Sequence, residues 1–251
     1  QLYYLVINFL LYFYSMYKNR KHLFFDMDDT VTLTRTPMED DVYELYASLP
    51  HDIIIVSGAH INQIQTQVRN LPFYRLGQNG NQAVNPEGEL LWEQKLSEQH
   101  TSLIQDHILS LKEICTHTVA DEADLVEHRG AQISYSLIGH NEETSKKKAF
   151  DPDQQIRKSL LTQVPFEDGT IEVKIGGTTC LDYFEKGKNK GYNILKLIRH
   201  MDWDINECIY FGDSLFPGGN DETVIGIIDT VAVQNHRHTH DILKENFFNI
   251  K

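Results

Sequence analysis

The sequence predicts an α/β protein, a Rossmann-like parallel sheet with a smaller α+β module inserted into it. Three observations carry this. Short apolar runs at 23–25, 53–56 and 208–211 each end abruptly in polar or acidic residues, as buried parallel strands do where their carboxyl ends face a ligand crevice. Helical periodicity separates the first two runs and returns before the third, so strand and helix alternate. From about residue 96 to 186 the texture changes to an amphipathic helix and a half-exposed strand. The expected division is an apolar N-terminal extension at 1–21, core at 22–95, an inserted cap at 96–186 and core again at 187–251.

In order, the first strand runs into Asp26-Met27-Asp28-Asp29-Thr30. Val42, Leu45 and Tyr46 at helical spacing predict a helix over 38–49, which Pro50 ends. A strand over 52–56 ends at Ser57, a helix follows over 61–68, and a short run reaches Gln78-Asn79-Gly80. Residues 85–88 read as a turn between short strands. In the inserted part, Ile104, His107, Ile108 and Leu111 mark one face of a helix. Strands are expected at 125–129 and 131–138, the second with Ile133, Tyr135 and Leu137 alternating with Gln132, Ser134 and Ser136. A basic loop around 146–148 leads to a helix starting at Asp151-Pro152, and a hairpin spans 170–184. The core resumes with a helix from Lys190, a strand ending at Asp213, a glycine-rich loop to Asp221, a short strand at 231–233 and a terminal helix over 242–248. His236, His238 and His240 fall in a solvated loop before that helix.

The chain has 251 residues, 41% of them hydrophobic, enough for a sizeable core. Its formal net charge of -13 argues against a nucleic-acid partner. Cys115, Cys180 and Cys208 are odd in number and lack zinc-like spacing, so they read as free thiols in a reducing, cytoplasmic setting. Residues 1–17 are apolar and aromatic, then Lys18, Arg20 and Lys21 follow. Three readings fit: a marginal membrane anchor, a packed extra helix, or a chain that begins upstream of its natural start. The last is favoured, because no methionine opens the chain and Met16 leaves a short lead into the first strand. A membrane partner follows only from the anchor reading.

Four strand ends or helix starts bring polar groups to one crevice: Asp26 with Asp28, Ser57, Lys190, and Asp213 with Asp221. Crowded carboxylates there call for a cation, which points to Mg²⁺ and phosphoryl transfer. Asp26 is the candidate nucleophile, forming an aspartyl-phosphate, and Asp28 the general acid and base. Ser57 and Lys190 are expected to hold the transferring phosphoryl oxygens, with Asp26, Asp28, Asp213 and Asp221 around the metal.

Asp26-Met27-Asp28-Asp29-Thr30, Ser57, Lys190 and Gly212-Asp213…Asn220-Asp221 resemble the four motifs of the haloacid dehalogenase superfamily, type IIB with an α/β cap. Phe211-Gly212-Asp213…Pro217-Gly218-Gly219-Asn220-Asp221 is similar to the fourth motif of the eukaryotic-type phosphomannomutases. The resemblance spans about 22–249. It implies substrate contacts from Arg35, Arg129 and Asp182, and places His140 and Lys147 where that family carries arginines and Cys180 where it carries a serine. Asp29 stands where a glycine is common. The implied activity is a Mg²⁺-dependent phosphotransfer on hexose phosphates, interconverting mannose 6-phosphate and mannose 1-phosphate. The alternative is a sugar-phosphate phosphatase using water as acceptor. A homodimer through the cap is a further implication.

Overall fold

A computed structural model describes residues 17–115, 117, 119 and 121–248. The apolar stretch at 1–16 and its three readings lie outside the described residues. No helix among the described residues is long and apolar enough to cross a membrane. These residues divide into two compact units, one running to Trp92 and resuming at Asn189, the other Glu93–Lys188.

Along the chain, the first unit opens with β1 (His22–Phe25), α1 (Asp40–Ser48), β2 (Asp52–Val56), α2 (Ile61–Gln67), β3 (Tyr74–Gly77), β4 (Gln82–Val84) and β5 (Leu90–Glu93). The second unit holds α3 (Glu98–Ile114), β6 (Val126–His128), β7 (Gln132–Ser136), α4 (Thr144–Phe150), α5 (Gln155–Gln163), β8 (Ile171–Gly176) and β9 (Cys180–Glu185). The first unit then closes with α6 (Lys190–His200), β10 (Cys208–Gly212), β11 (Asp229–Ala232) and α7 (His236–Leu243).

The expected α/β core is present. Its sheet has the order β11-β10-β1-β2-β3-β4-β5, parallel from β11 to β3, with β4 turning antiparallel against β3. Alternation decides which side each residue serves. Leu23, Phe25, Ile53, Ile55, Ile209 and Phe211 meet Val42 and Leu45 of α1, Ile64 of α2 and Leu243 of α7 on one face. Phe24, Ile54, Val56 and Tyr210 meet Ile194, Leu197 and Ile198 of α6 on the other. Helices on both faces explain why these strands are apolar throughout. β1 lies between β2 and β10, with Phe25 level with Ile55 and Phe211. Strands from opposite ends of the chain therefore flank it, and their carboxyl ends finish together. That is a topological switch point, where α/β sheets bind ligands.

The second unit has an antiparallel sheet of order β6-β7-β9-β8. Ile133, Tyr135, Leu181, Tyr183 and Ile171 pack on Ile104, Ile108 and Leu111 of α3 and Leu160 of α5. The alternate residues Ser134, Ser136, Cys180 and Asp182 share the opposite, polar face. His107 is buried among the apolar residues of α3, satisfied by Tyr183 Oη at 2.8 Å and the Val164 carbonyl at 2.9 Å.

Two expectations need correction. The basic loop around 146–148 is the helix α4, and Asp151-Pro152 does not start the next helix, which begins at Gln155. Asp151 instead points its carboxylate back at α5, accepting from the amides of Ile156 and Arg157. The terminal helix begins at His236 rather than 242, because Asn235 caps it by accepting from the amides of Arg237 and His238. His236 and His240 are therefore buried one turn apart rather than solvated, facing Glu39 and Asp41 at 3.8 Å each.

Candidate active site

β1 ends in a buried run, and the next residue, Asp26, is only 4% exposed. Its amide donates to the Phe211 carbonyl, extending the β1–β10 pairing by one bond. Lys190 opens α6, whose first turn is capped by Asn189 accepting from the Tyr192 amide. From there Lys190 Nζ donates to Asp26 Oδ1 at 2.5 Å and to Asp221 Oδ1 at 2.7 Å. Asp221 is wholly buried and also accepts from Tyr210 Oη at 2.6 Å and the Ser214 amide at 3.2 Å. Asp213 follows β10, its amide donating to Thr30 Oγ1 and its carboxylate accepting from Ser214 Oγ.

Oxygen atoms of Asp26, Asp213 and Asp221 all lie within 4.8 Å of one another. Three carboxylates meet one ammonium, so negative charge is left over. Burial pushes the Asp26 carboxyl well above its ordinary range; Lys190 opposes this, while Asp221 and Asp213 add to it. Burial and Asp221 likewise push Asp213 up. Burial works against the Lys190 ammonium, yet Asp221 and Asp26 outweigh it and hold its pKa above normal. A compact set of hard oxygen donors with uncompensated charge fits a small divalent cation such as Mg²⁺.

The Asp28 carboxylate stands outside this group. Its Oδ1 accepts from the Arg35 amide at 3.0 Å and from Gln67 Nε2 at 3.1 Å. Gln67, 2% exposed on α2, also donates to Thr32 Oγ1. Arg35 sits in the exposed loop after β1 with φ +55. Asp29 has φ +59, the left-handed conformation in which glycine is strain-free and Asp is tolerated. This accounts for the glycine implied there by resemblance. Ser57, at the end of β2, is 3% exposed, its Oγ accepting from the Ala59 amide at 3.1 Å.

Gly212 matters through close approach rather than dihedral freedom. A Cβ there would lie 2.4 Å from Asp221 Oδ2 and 2.8 Å from Tyr210 Cε1. Asp221 is held by three partners and has no room to yield. Gly212→Ala is expected to lower stability in urea unfolding by about 1–3 kcal/mol; an unchanged midpoint would show that Asp221 moves freely.

In the second unit, Arg129 grips Glu127 Oε2 through Nε at 2.9 Å and Nη2 at 2.5 Å. His140, 2% exposed, has Nδ1 3.7 Å from the same oxygen and 3.9 Å from Cys180 Sγ. Its Nε2 lies 3.1 Å from the Ser134 carbonyl. Asp182 Oδ1 accepts from Ser134 Oγ at 2.5 Å, and Lys147 Nζ, reaching from α4, donates to the His140 carbonyl at 2.9 Å. Arg129, His140, Cys180 and Asp182 thus form one polar cluster, with Lys147 at its margin.

The sequence model of the family described as eukaryotic phosphomannomutase matches residues 44–249. The chain belongs to the eukaryotic phosphomannomutase family. It is 30% identical over 245 residues to phosphomannomutase 2 of Dictyostelium discoideum, covering 89% of this chain and 95% of that protein. Its fold is shared with an IMP-bound IMP-nucleotidase of Plasmodium falciparum, at a TM-score of 0.62 and 17% identity, covering 91% of this chain and 68% of that one. A haloacid dehalogenase-like hydrolase from Bacteroides thetaiotaomicron superposes with a TM-score of 0.54 at 15% identity, covering 83% and 86%. This member of the phosphomannomutase family is an enzyme, a phosphomutase or a phosphatase of the haloacid dehalogenase fold.

The family match begins after Asp26 and Asp28; the Lys190 bridge is what ties Asp26 to the matched region. Three supporting residues were not legible as functional in this family member. Tyr210 reads as another apolar strand residue, although strand alternation puts it on the same face as Gly212. Thr30 lies inside the first motif without a role of its own there, and Gln67 carries no motif signal at all.

Proposed function

We propose that the protein transfers phosphoryl groups among hexose phosphates through an aspartyl-phosphate on Asp26, interconverting mannose 6-phosphate and mannose 1-phosphate. The observation that carries this reading is Lys190 bonded to both Asp26 and Asp221 beside Asp213. Lys190 occupies Asp26 Oδ1, which leaves Oδ2 as the attacking oxygen. Asp28, held by Gln67 and the Arg35 amide, gives a proton to the departing sugar oxygen and later takes one from the entering hydroxyl. Ser57 Oγ accepts from Ala59, so its own proton remains to be donated to a phosphoryl oxygen, alongside Lys190. Asp26, Asp213, Asp221 and the Asp28 main chain would hold Mg²⁺, which would supply positive charge to offset the phosphoryl oxygens.

Substrate binding is assigned to Arg35 in the first unit and to Arg129, Lys147, Cys180 and Asp182 in the second. His140 is the weak member. Its ring is turned to Ser134, Glu127 and Cys180, contacts that do not make a phosphate grip like that of an arginine fork. That observation favours the second reading, hydrolysis of the same intermediate by water. A homodimer through the second unit belongs to the first reading.

The deciding experiment supplies mannose 1-phosphate with a catalytic amount of hexose bisphosphate and Mg²⁺. Mannose 6-phosphate as the main product supports the mutase, and inorganic phosphate supports the hydrolase. Neither product would defeat both. EDTA is expected to abolish turnover and added Mg²⁺ to restore it; turnover that survives EDTA contradicts the assigned metal.

A further inference from the structure

Cys180, assigned to substrate binding, also faces His140, a contact that the phosphoryl-transfer step itself does not use. Cys180 opens β9 and is partly exposed. His140 is buried, its Nδ1 3.9 Å from Cys180 Sγ and its Nε2 against the Ser134 carbonyl at 3.1 Å. A carbonyl only accepts, so Nε2 carries the ring proton in neutral His140. Nδ1 is then the lone-pair nitrogen, and it faces both the thiol and, at 3.7 Å, Glu127 Oε2, whose charge favours the imidazolium once the thiol proton has moved. A base fixed in its tautomer by a second contact is the arrangement that activates a nucleophile. The surroundings carry both signs of charge: Arg129 favours a thiolate, whereas Asp182 opposes it. Burial works most strongly against the thiolate, and the His140 contact with the charges of His140 and Arg129 together outweighs burial and Asp182, holding the Cys180 thiol below its usual range. The contrast lies within the same chain: Cys208 is wholly buried, and burial pushes its thiol up to about 12.

We propose that Cys180 and His140 form a thiol–imidazole pair at which the protein reacts with hydroperoxides. His140 Nδ1 takes the thiol proton, and the sulfur attacks one oxygen of hydrogen peroxide. An S–O bond forms as the O–O bond breaks, and the leaving hydroxide departs as water with the proton returned from His140. The sulfur is oxidised by two electrons to a sulfenic acid, and the peroxide is reduced to water. The readout is the mass of a peptide, so the inference stands or falls apart from the hexose-phosphate reading.

The test uses the full chain at neutral pH with limiting iodoacetamide, followed by peptide mass analysis. Cys180 is expected to label about tenfold faster than Cys115 or Cys208. Hydrogen peroxide followed by dimedone is expected to leave the adduct on Cys180. His140→Gln keeps an amide donor for the Ser134 carbonyl and removes the base, so it should slow Cys180 labelling about tenfold and leave Cys115 unchanged. Faster labelling at either other cysteine, or an unchanged Cys180 rate in the variant, overturns the pair. Should that variant not fold, the ranking of the three thiols and the dimedone adduct in the wild-type chain decide it.

Discussion

Asp26→Asn is expected to cut turnover by at least about a thousandfold, equivalent to roughly 4 kcal/mol of transition-state stabilisation. The amide keeps the shape of the carboxylate, and its oxygen still accepts from Lys190. Asp221 continues to hold the Lys190 ammonium at 2.7 Å, so the buried cation does not lose its charged partner. What the variant loses is the anionic oxygen that attacks phosphorus. A folded variant, with unchanged circular dichroism and melting, that turned over near the wild-type rate would remove the aspartyl-phosphate from the mechanism. Asp28→Asn tests a different step. It leaves the nucleophile intact and takes away the proton donor, so phosphoryl capture from a substrate with a good leaving group should survive better than capture from a sugar phosphate.

The second large effect is on stability. Arg157, on α5, is 1% exposed and lies in the interior of the second unit. Its Nε donates to Asp151 Oδ2 at 2.7 Å, and its Nη1 to the carbonyls of Gly176 at 2.9 Å and Gly177 at 3.0 Å. One side chain therefore joins the start of α5 to the turn between β8 and β9, the strand that carries Cys180 and Asp182. Arg157→Met keeps volume but leaves the Asp151 carboxylate buried without its cation. Breaking such a pair from one side costs about 3–5 kcal/mol, to be read from urea unfolding monitored in the second unit. The double variant Asp151→Asn with Arg157→Met should recover part of that loss, because no lone charge remains.

The same pair sets an acid sensitivity. Burial raises the Asp151 carboxyl, but its bonds to Arg157 and to the amides of Ile156 and Arg157 outweigh this and hold it below its usual value. A carboxyl depressed in the folded state contributes stability above its unfolded pKa of about 3.9, and that contribution is lost as pH falls through the folded value. The stability gap between wild type and Arg157→Met should therefore be full at neutral pH and narrow below about pH 3.9. A gap independent of pH would mean that the carbonyl contacts, not the ion pair, carry the effect.

How far the chain was readable depended on the range of the forces involved. β1, β2 and β10 were legible because a buried parallel strand needs a continuous apolar run and its end is a local event. The existence of β7 was legible from alternation, but the half-exposed strand that alternation implied is buried on both faces, Gln132, Ser134 and Ser136 included. α4 was not legible. Its lysines at 146–148 read as a solvated loop, although lysine is a good helix former and an exposed helix needs no apolar stripe to hold it. The start of α7 was missed for a related reason. His236 and His240 look polar in sequence, but one turn apart on a helix they bury together against α1. Asp151, readable as a helix-start residue, does serve the start of α5 through the amides of Ile156 and Arg157, but it is also half of a buried ion pair, a role set by the Arg157 side chain.

The candidate site divides in the same way. The sequence by itself determined which carboxylates stand at strand ends, since Asp26 and Asp213 each follow an apolar run that cannot continue into charge. Tertiary structure decided how they share the work. Asp26 and Lys190 are 164 residues apart, and only the β10–β1–β2 order brings them, with Asp221, to one point. It also set Asp28 apart from the carboxylate cluster, because Gln67 and the Arg35 amide take its Oδ1. Hydrogen bonds act over about 3 Å, so the partner of a buried charge depends on where the backbone ends up. The local pattern shows only that a partner is needed.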